Sequence, residues 1–417
     1  MNTYQIHYLG CKASQADALG YAGMLQRAGW TEAVAESQVS LLLVQTCTVT
    51  MSADAQGRQL VRKLKREHPE AKVMLTGCYA QRAEEELTAM PEVDYVVGNL
   101  NPRKNEILTQ IAAASFSEEF PDFPLPGEFS RTRPYIKIQD GCDARCSYCI
   151  IPAVRGKSRS LPVEEVVRRV ELFRDRSYRE MILTGISMGG YGKDLVPKSS
   201  LGRLMERLAM LSGDFRIRLS SVEPEEIDDL FLDTFNGSNR FQPHLHLPLQ
   251  SASDRVLRKM RRQYLFKRYR NIVDRLFKSN PDLNLGTDIL VGFPDEDDAA
   301  FLETYRYVQS GAFAYCHVFP FSARPETAAA GYSRCVTHQE THHRAKLLRR
   351  EAGRKNLEYR RRFIEKELTG LLLPGTGTAL TGNYIRVHLA YENGTTGFVS
   401  IRINSVDNDS TSGVVVN

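Results

Sequence analysis

Short apolar runs alternate with amphipathic stretches over the first 115 residues. The runs at 4–9, 39–44, 72–76 and 95–97 have the length of strands, and 15–28, 53–67 and 81–89 carry apolar residues at helical spacing. Repeated strand–helix units predict a parallel sheet covered by helices on both faces. The pattern stops over 116–134, where Pro121, Pro124, Pro126, Pro134 and Gly127 stand among acidic residues with no apolar period, and a linker is expected. A second series follows from 135 to about 322. Its candidate strands are 135–139, 180–184, 215–219, 243–247, 284–291 and 313–318, with helical patterns at 162–174, 201–211, 225–235 and 297–309. Six units suit a partial (β/α)6 barrel, whose chemistry belongs at the C-terminal ends of the strands. A basic helix then runs to about Gly370. Beyond it, short alternating segments at 371–373, 384–389, 396–399 and 400–403 are set apart by glycines and predict a small C-terminal β-barrel. The fold class is thus α/β with a terminal β-barrel, divided as 1–115, linker 116–134, 135–352 and 353–417.

Composition narrows the class. With 417 residues, 42% hydrophobic and 25% charged, the chain has ample core for two or three domains. No apolar run approaches a membrane span, and the N-terminal residues lack the basic and apolar regions of a signal peptide, so a cytoplasmic protein is expected. Eight cysteines in such a protein argue for metal or catalysis rather than disulfides.

Three of them, Cys142, Cys146 and Cys149, lie in one C-x3-C-x2-C loop just past the first candidate barrel strand. Three thiolates this close can hold three irons of a cubane cluster and leave the fourth open. A cluster used only for electron transfer normally takes four cysteines. A zinc site would want a fourth ligand, and no Cys or His stands nearby in the sequence. Cys11, Cys47 and Cys78 each follow a candidate strand of the first sheet. Parallel strands end on one edge, so these three can converge despite their separation, which suggests a second three-cysteine cluster. Cys316 and Cys335 fall outside both groups and are read as non-ligands.

Charge adds a partner class. Between Arg255 and Lys278 there are ten Lys/Arg and one acid, Asp274, and 338–370 carries ten Lys/Arg against five acids. The first run is too one-sided for internal salt bridging alone and points to a polyanion, with Arg258, Arg261 and Arg262 as candidate RNA contacts.

Two three-cysteine sites followed by a β-barrel resemble the radical S-adenosylmethionine (SAM) methylthiotransferases over essentially the whole chain. The resemblance is strongest to the group acting on N6-threonylcarbamoyladenosine at position 37 of tRNA. It rests on Leu9-Gly10-Cys11-Lys12, Thr46-Cys47-Thr48-Val49-Thr50 with Ala53-Asp54-Ala55, Asp140-Gly141-Cys142, and Tyr148-Cys149-Ile150-Ile151-Pro152 with Arg155-Gly156 and Arg159-Ser160. The chain departs from the family at Ser14, where Asn is common, and at Glu326, where Gly is usual; neither is a candidate ligand. The resemblance implies an N-terminal cluster domain, a radical SAM barrel and an RNA-binding TRAM-like barrel. It also implies two 4Fe-4S clusters, SAM, a tRNA substrate, a flavodoxin- or ferredoxin-like electron donor, a sulfur donor and a monomer. SAM would meet residues at the barrel strand ends: Gly185 in the Gly-rich 184–192 loop, Ser221, Glu223, Gln250 and Asp288. In such enzymes one SAM yields the radical that takes hydrogen from C2 of the adenine, and a second supplies the methyl group of the inserted methylthio unit. Methylthiolation of isopentenyladenosine-37 or of a ribosomal protein side chain, and RNA binding without catalysis, are the alternatives. The basic segments disfavour a protein substrate, and the C-x3-C-x2-C loop disfavours binding alone.

Overall fold

The computed structural model describes residues 2–34, 38–112, 123–125, 132–390 and 397–416. The N-terminal unit is a five-stranded parallel sheet in the order Thr31–Glu32, Thr3–Tyr8, Leu41–Thr46, Lys72–Gly77, Tyr95–Gly98. Leu41 and Leu43 enter one core and Leu42 and Val44 the other, which is why this strand is a continuous apolar run rather than an alternating one. Helices Lys12–Arg27 and Met51–Glu67 follow the first and third strands in chain order. Thr50 caps the second helix by accepting from the Ala53 amide at 3.1 Å. The 81–89 stretch is two short helices, Cys78–Arg82 and Glu84–Thr88, because Ala83 leaves helical geometry at φ −130°. Helix Lys104–Ala112 carries a weak apolar stripe and was not foreseen. Of the expected linker only 123–125 and 132–134 are described. Phe123 is buried in the core of the second unit, and Pro124 lies against Gly20.

The second unit has six parallel strands in chain order: Tyr135–Lys137, Glu180–Thr184, Arg216–Leu219, His244–His246, Asn284–Val291 and Tyr315–Pro320. Backbone bridges Ile217–Phe241 and Ser221–His246 join the third and fourth. Among the described residues no pairing links the first strand to the sixth, so the barrel is partial. Helix Lys12–Arg27 of the N-terminal unit packs on the first strand.

Helix His338–Arg361 lies against the sixth strand and runs through positions 352 and 353 without a break. It ends at Arg361, not near Gly370, which sits inside the strand Glu367–Leu373. The charged stretch 362–370 reads as helix, but its residues from Glu367 onward pair antiparallel with Phe398–Val406. That strand also merges the two segments expected at 396–399 and 400–403; Thr396 lies outside the described residues. With Thr378–Thr381, Arg386–Leu389 and Thr411–Val416 the strands close into a five-stranded barrel.

Buried ion pairs fasten the three units together. Arg155 reaches Asp17 and Asp140, each at 2.9 Å, and Lys137 pairs with both acids. Arg324 meets Asp54 at 2.6 Å. Glu180, fully buried, pairs with Arg133 (3.0 Å), Arg216 (2.6 Å) and Arg218 (3.1 Å), and the last two arginines also donate to carbonyls of Leu380, Thr381 and Gly382 in the C-terminal barrel. Burial alone would raise the Glu180 pKa; the charges of Arg218 and Arg216 outweigh it and hold it well below the usual carboxylate range. A depressed folded-state value means that its stabilisation is complete above the unfolded value of about 4.3 and is lost as pH falls below it. Glu180→Ala should cost about 3–5 kcal/mol, because it strands buried guanidinium groups. Urea unfolding at pH 7 checks this, and a loss under 1 kcal/mol would contradict it.

Candidate cluster and SAM site

The C-x3-C-x2-C loop is held from several sides. The Cys142 amide donates to Gly156 O at 3.0 Å, Cys149 N to Cys146 O at 3.1 Å, and Ser147 N and Oγ to Met260 O and Lys259 O at 2.9 Å each. Gly141, at φ +71°, passes so close to the neighbouring segment that a Cβ there would stand 2.0 Å from Lys157 O. Gln139 joins this loop to the Gly-rich one: its Nε2 donates to Gly141 O (2.7 Å) and its Oε1 accepts from the amides of Ile186 (3.0 Å) and Ser187 (2.7 Å). It was missed in the sequence, where the one hint is an amide residue ending an apolar strand.

The three cysteines line a cavity of about 280 Å³ together with Ser187, Glu223, Gln250 and Arg262. Of the residues expected to meet SAM, Glu223 and Gln250 face this cavity. Gly185 is in the adjoining turn, where a Cβ would stand 3.1 Å from Gln139 O. Ser221 and Asp288 do not line the cavity. Ser221 is exposed and joins the sheet by a bridge to His246. Asp288 accepts from His246 Nε2 at 2.9 Å and His317 Nδ1 at 3.2 Å.

Arg262 corrects the reading of the basic run. Its side chain is only 4% exposed; it pairs with Glu223 and donates to Cys146 Sγ at 3.4 Å, so it is closed to an RNA phosphate. Arg261 adopts φ +57° just after the helix Asp254–Lys259, and the chain turns the next side chain inward. Arg258 and Arg261 themselves are exposed.

Cys11, Cys47 and Cys78 stand at level strand ends, since Gln45 pairs with Tyr8 and Thr76, and Thr46 with Gly77. Two glycines let them approach. A Cβ on Gly10 (φ +111°) would stand 2.9 Å from Cys47 Cβ, and one on Gly77 (φ +99°) 2.4 Å from Thr46 O. Burial, with the nearby Cys78 and Cys11 adding to it, pushes the Cys47 thiol up to about 12. Cys78 is raised by burial too, against the opposing charge of Arg155, whose Nε donates to its Sγ at 3.3 Å. Cys149 is likewise pushed up to about 12 by burial. Thiols so raised stay protonated until a metal displaces the proton. Gly77→Ala should destabilise the N-terminal unit by at least about 1 kcal/mol through backbone strain alone; thermal unfolding measures it, and an unchanged midpoint would contradict the close approach.

Cys78 packs in one small core with Ile150 and Val154, the first directly after Cys149. The two cysteine groups, in different units of the chain, thus face each other. The donor set suits multi-iron clusters better than single ions. Thiolates on one tetrahedral ion with bonds of about 2.3 Å sit roughly 4 Å apart; among the described residues no three cysteine sulfurs lie within 4.8 Å of one another. Cys316 packs against the barrel core and Cys335 is exposed.

Comparison with known proteins bears on this geometry. Residues 136–308 match the radical SAM superfamily and residues 3–98 the uncharacterized protein family UPF0004. The chain is 35% identical over 341 residues to the threonylcarbamoyladenosine tRNA methylthiotransferase MtaB of Bacillus subtilis, covering 79% of this chain and 76% of the relative. It is 33% identical over 423 residues to the MtaB of Thermotoga maritima, covering 98% and 96%. The chain belongs to the radical SAM tRNA methylthiotransferases.

This methylthiotransferase is also 31% identical over 352 residues to the tRNA-2-methylthio-N(6)-dimethylallyladenosine synthase of Dictyoglomus thermophilum, covering 81% and 80%. Its fold is shared with the radical SAM methyltransferase TsrM of Kitasatospora setae, at a TM-score of 0.56 and 13% identity over 79% and 77% of the two chains. The methylthiotransferase uses SAM and a 4Fe-4S cluster and acts on tRNA. Its terminal five-stranded barrel is TRAM-like. No helix among the described residues is long and apolar enough to cross a membrane.

Proposed function

We propose that this enzyme methylthiolates C2 of N6-threonylcarbamoyladenosine at position 37 of tRNA. The observation that carries the reading is the contact of Cys78 with Ile150 and Val154, which sets one cysteine triad against the other. The relatives named for the threonylcarbamoyl substrate support that substrate over the isopentenyl one. Cys142, Cys146 and Cys149 hold the radical cluster, and Cys11, Cys47 and Cys78 hold a second 4Fe-4S cluster that presents sulfur. When bound, the first cluster with SAM supplies the one-electron chemistry needed at an unactivated C–H bond.

The chain's own part is placement. Gln139 fixes the radical loop against the 184–192 turn, Arg262 orients Cys146 while neutralised by Glu223, and Arg155 orients Cys78 while neutralised by Asp17 and Asp140. Gly185, Glu223 and Gln250 lie at or beside the SAM cavity, whereas Ser221 and Asp288 stand outside its walls. The working division is 1–115 for the sulfur-presenting cluster, 135–352 for the radical barrel and 353–417 for RNA binding. A flavodoxin- or ferredoxin-like reductant, a sulfur donor, a monomeric state and a cytoplasmic location complete the reading.

Reconstituted enzyme with SAM and reductant should add the methylthio mass to tRNA carrying threonylcarbamoyladenosine and leave isopentenyladenosine tRNA unmodified. The reverse preference would overturn the substrate. Exposed Arg258 and Arg261 lie where phosphates can reach them. Reversing both charges should flatten the salt dependence of tRNA binding by roughly one unit per lost contact. Coincident slopes in a salt titration would remove them from the interface.

A further inference from the structure

The barrel end at Glu180 gathers more positive charge than it neutralises. Glu180 alone meets Arg133, Arg216 and Arg218 in ion pairs, and two of those arginines turn their other donors to uncharged carbonyls. Tyr384 projects from the C-terminal barrel with a left-handed backbone (φ +65°). Its ring centre lies 4.2 Å from that of His244, the planes tilted by 36°, with the Arg218 and Arg133 guanidiniums 4.6 and 5.9 Å from its centre. Into this group comes a fourth cation from the N-terminal unit. Lys12 opens the helix Lys12–Arg27 directly after Cys11, and its ammonium lies within electrostatic reach of Tyr384, Arg218, Arg133 and Glu180. Its side chain is half-buried and has neither a hydrogen bond nor an ion pair to any described residue. Among the described residues, four cations thus share one carboxylate. A half-buried ammonium set among three arginines that share one carboxylate favours a ligand that supplies the missing negative charge, and such groups cluster at functional sites. The lysine is also one residue from a cysteine of the proposed sulfur-presenting triad. An anion on Lys12 therefore belongs to the molecule being modified, on a substituent beside its reacting carbon.

We propose that Lys12, backed by Arg133 and Arg218, forms the subsite for a carboxylate carried on N6 of the target adenine, and so selects a threonylcarbamoyl group over an apolar isopentenyl one. The inference rests on the substrate reading above and adds the residue that enforces it. A backbone phosphate of tRNA is the competing source of an anion, and the test separates the two.

The test compares reconstituted holoenzyme without reductant, so that nothing turns over, on three forms of one tRNA: with threonylcarbamoyladenosine, with its carboxylate masked as a methyl ester, and with unmodified adenosine. The wild type should bind the first at least about tenfold more tightly than the other two, as expected for a charge-assisted contact. Lys12→Gln should abolish that preference and leave affinity for unmodified tRNA unchanged; once reductant is added, it should raise KM for the modified tRNA more than it lowers kcat. Lys12→Arg should restore much of the preference. Iron content and SAM cleavage should not change. Equal binding of free acid and ester by the wild type would overturn the proposal without any variant. A Lys12→Gln enzyme that loses affinity equally for all three tRNAs would assign the lysine to a phosphate instead. If the wild type makes no product from the free acid, the substrate reading fails first, independently of Lys12.

Discussion

Replacing Cys142, Cys146 and Cys149 together by Ala should abolish both SAM cleavage and methylthio product, and should lower iron from about eight to about four per chain. The three side chains line the cavity of about 280 Å³, and the loop that carries them is held by its neighbours, through Gly156, Met260 and Lys259 carbonyls, rather than by the thiols. The fold should therefore survive the change while the metal does not. A variant that keeps its full iron load, or still releases 5′-deoxyadenosine, would show that the ligands lie elsewhere.

The second large effect divides the roles. Ala at Cys11, Cys47 and Cys78 should also leave about four irons, but SAM cleavage should persist while methylthio product disappears. These thiols belong to the N-terminal sheet edge, and none lines the cavity with Glu223 and Gln250. The main hazard is Cys78, which packs on Ile150 and Val154 and accepts from Arg155. Ala there removes a buried contact next to the radical loop, so Ser at this position is the control for packing. Loss of SAM cleavage in a well-folded Ser variant would mean that the two groups work as one unit.

Much of this architecture is legible in the chain because local rules and tertiary structure agree. Each of the six barrel strands falls within a few residues of its apolar run, and each N-terminal cysteine comes just past a strand of the first sheet. Parallel register then levels the strand ends, so three cysteines some thirty residues apart converge without any sequence motif announcing it. The failures come where long-range contacts decide. A run of cations such as 255–278 reads as one face open to a polyanion, yet the left-handed turn at Arg261 puts Arg262 against Cys146. Asp288 stands at a strand position where a ligand contact is reasonable, but two histidines from neighbouring strands occupy its carboxylate. The Arg324–Asp54 pair joins positions 270 residues apart, and nothing local predicts it. Glycine-bounded strands such as Thr378–Thr381 are too short to show a period.

The most direct measurement is nucleoside analysis of tRNA from cells with and without this protein. The account predicts that 2-methylthio-N6-threonylcarbamoyladenosine disappears without it, that N6-threonylcarbamoyladenosine accumulates in its place, and that 2-methylthio-isopentenyladenosine is unchanged. An unchanged threonylcarbamoyl product, or loss of the isopentenyl one instead, would contradict it.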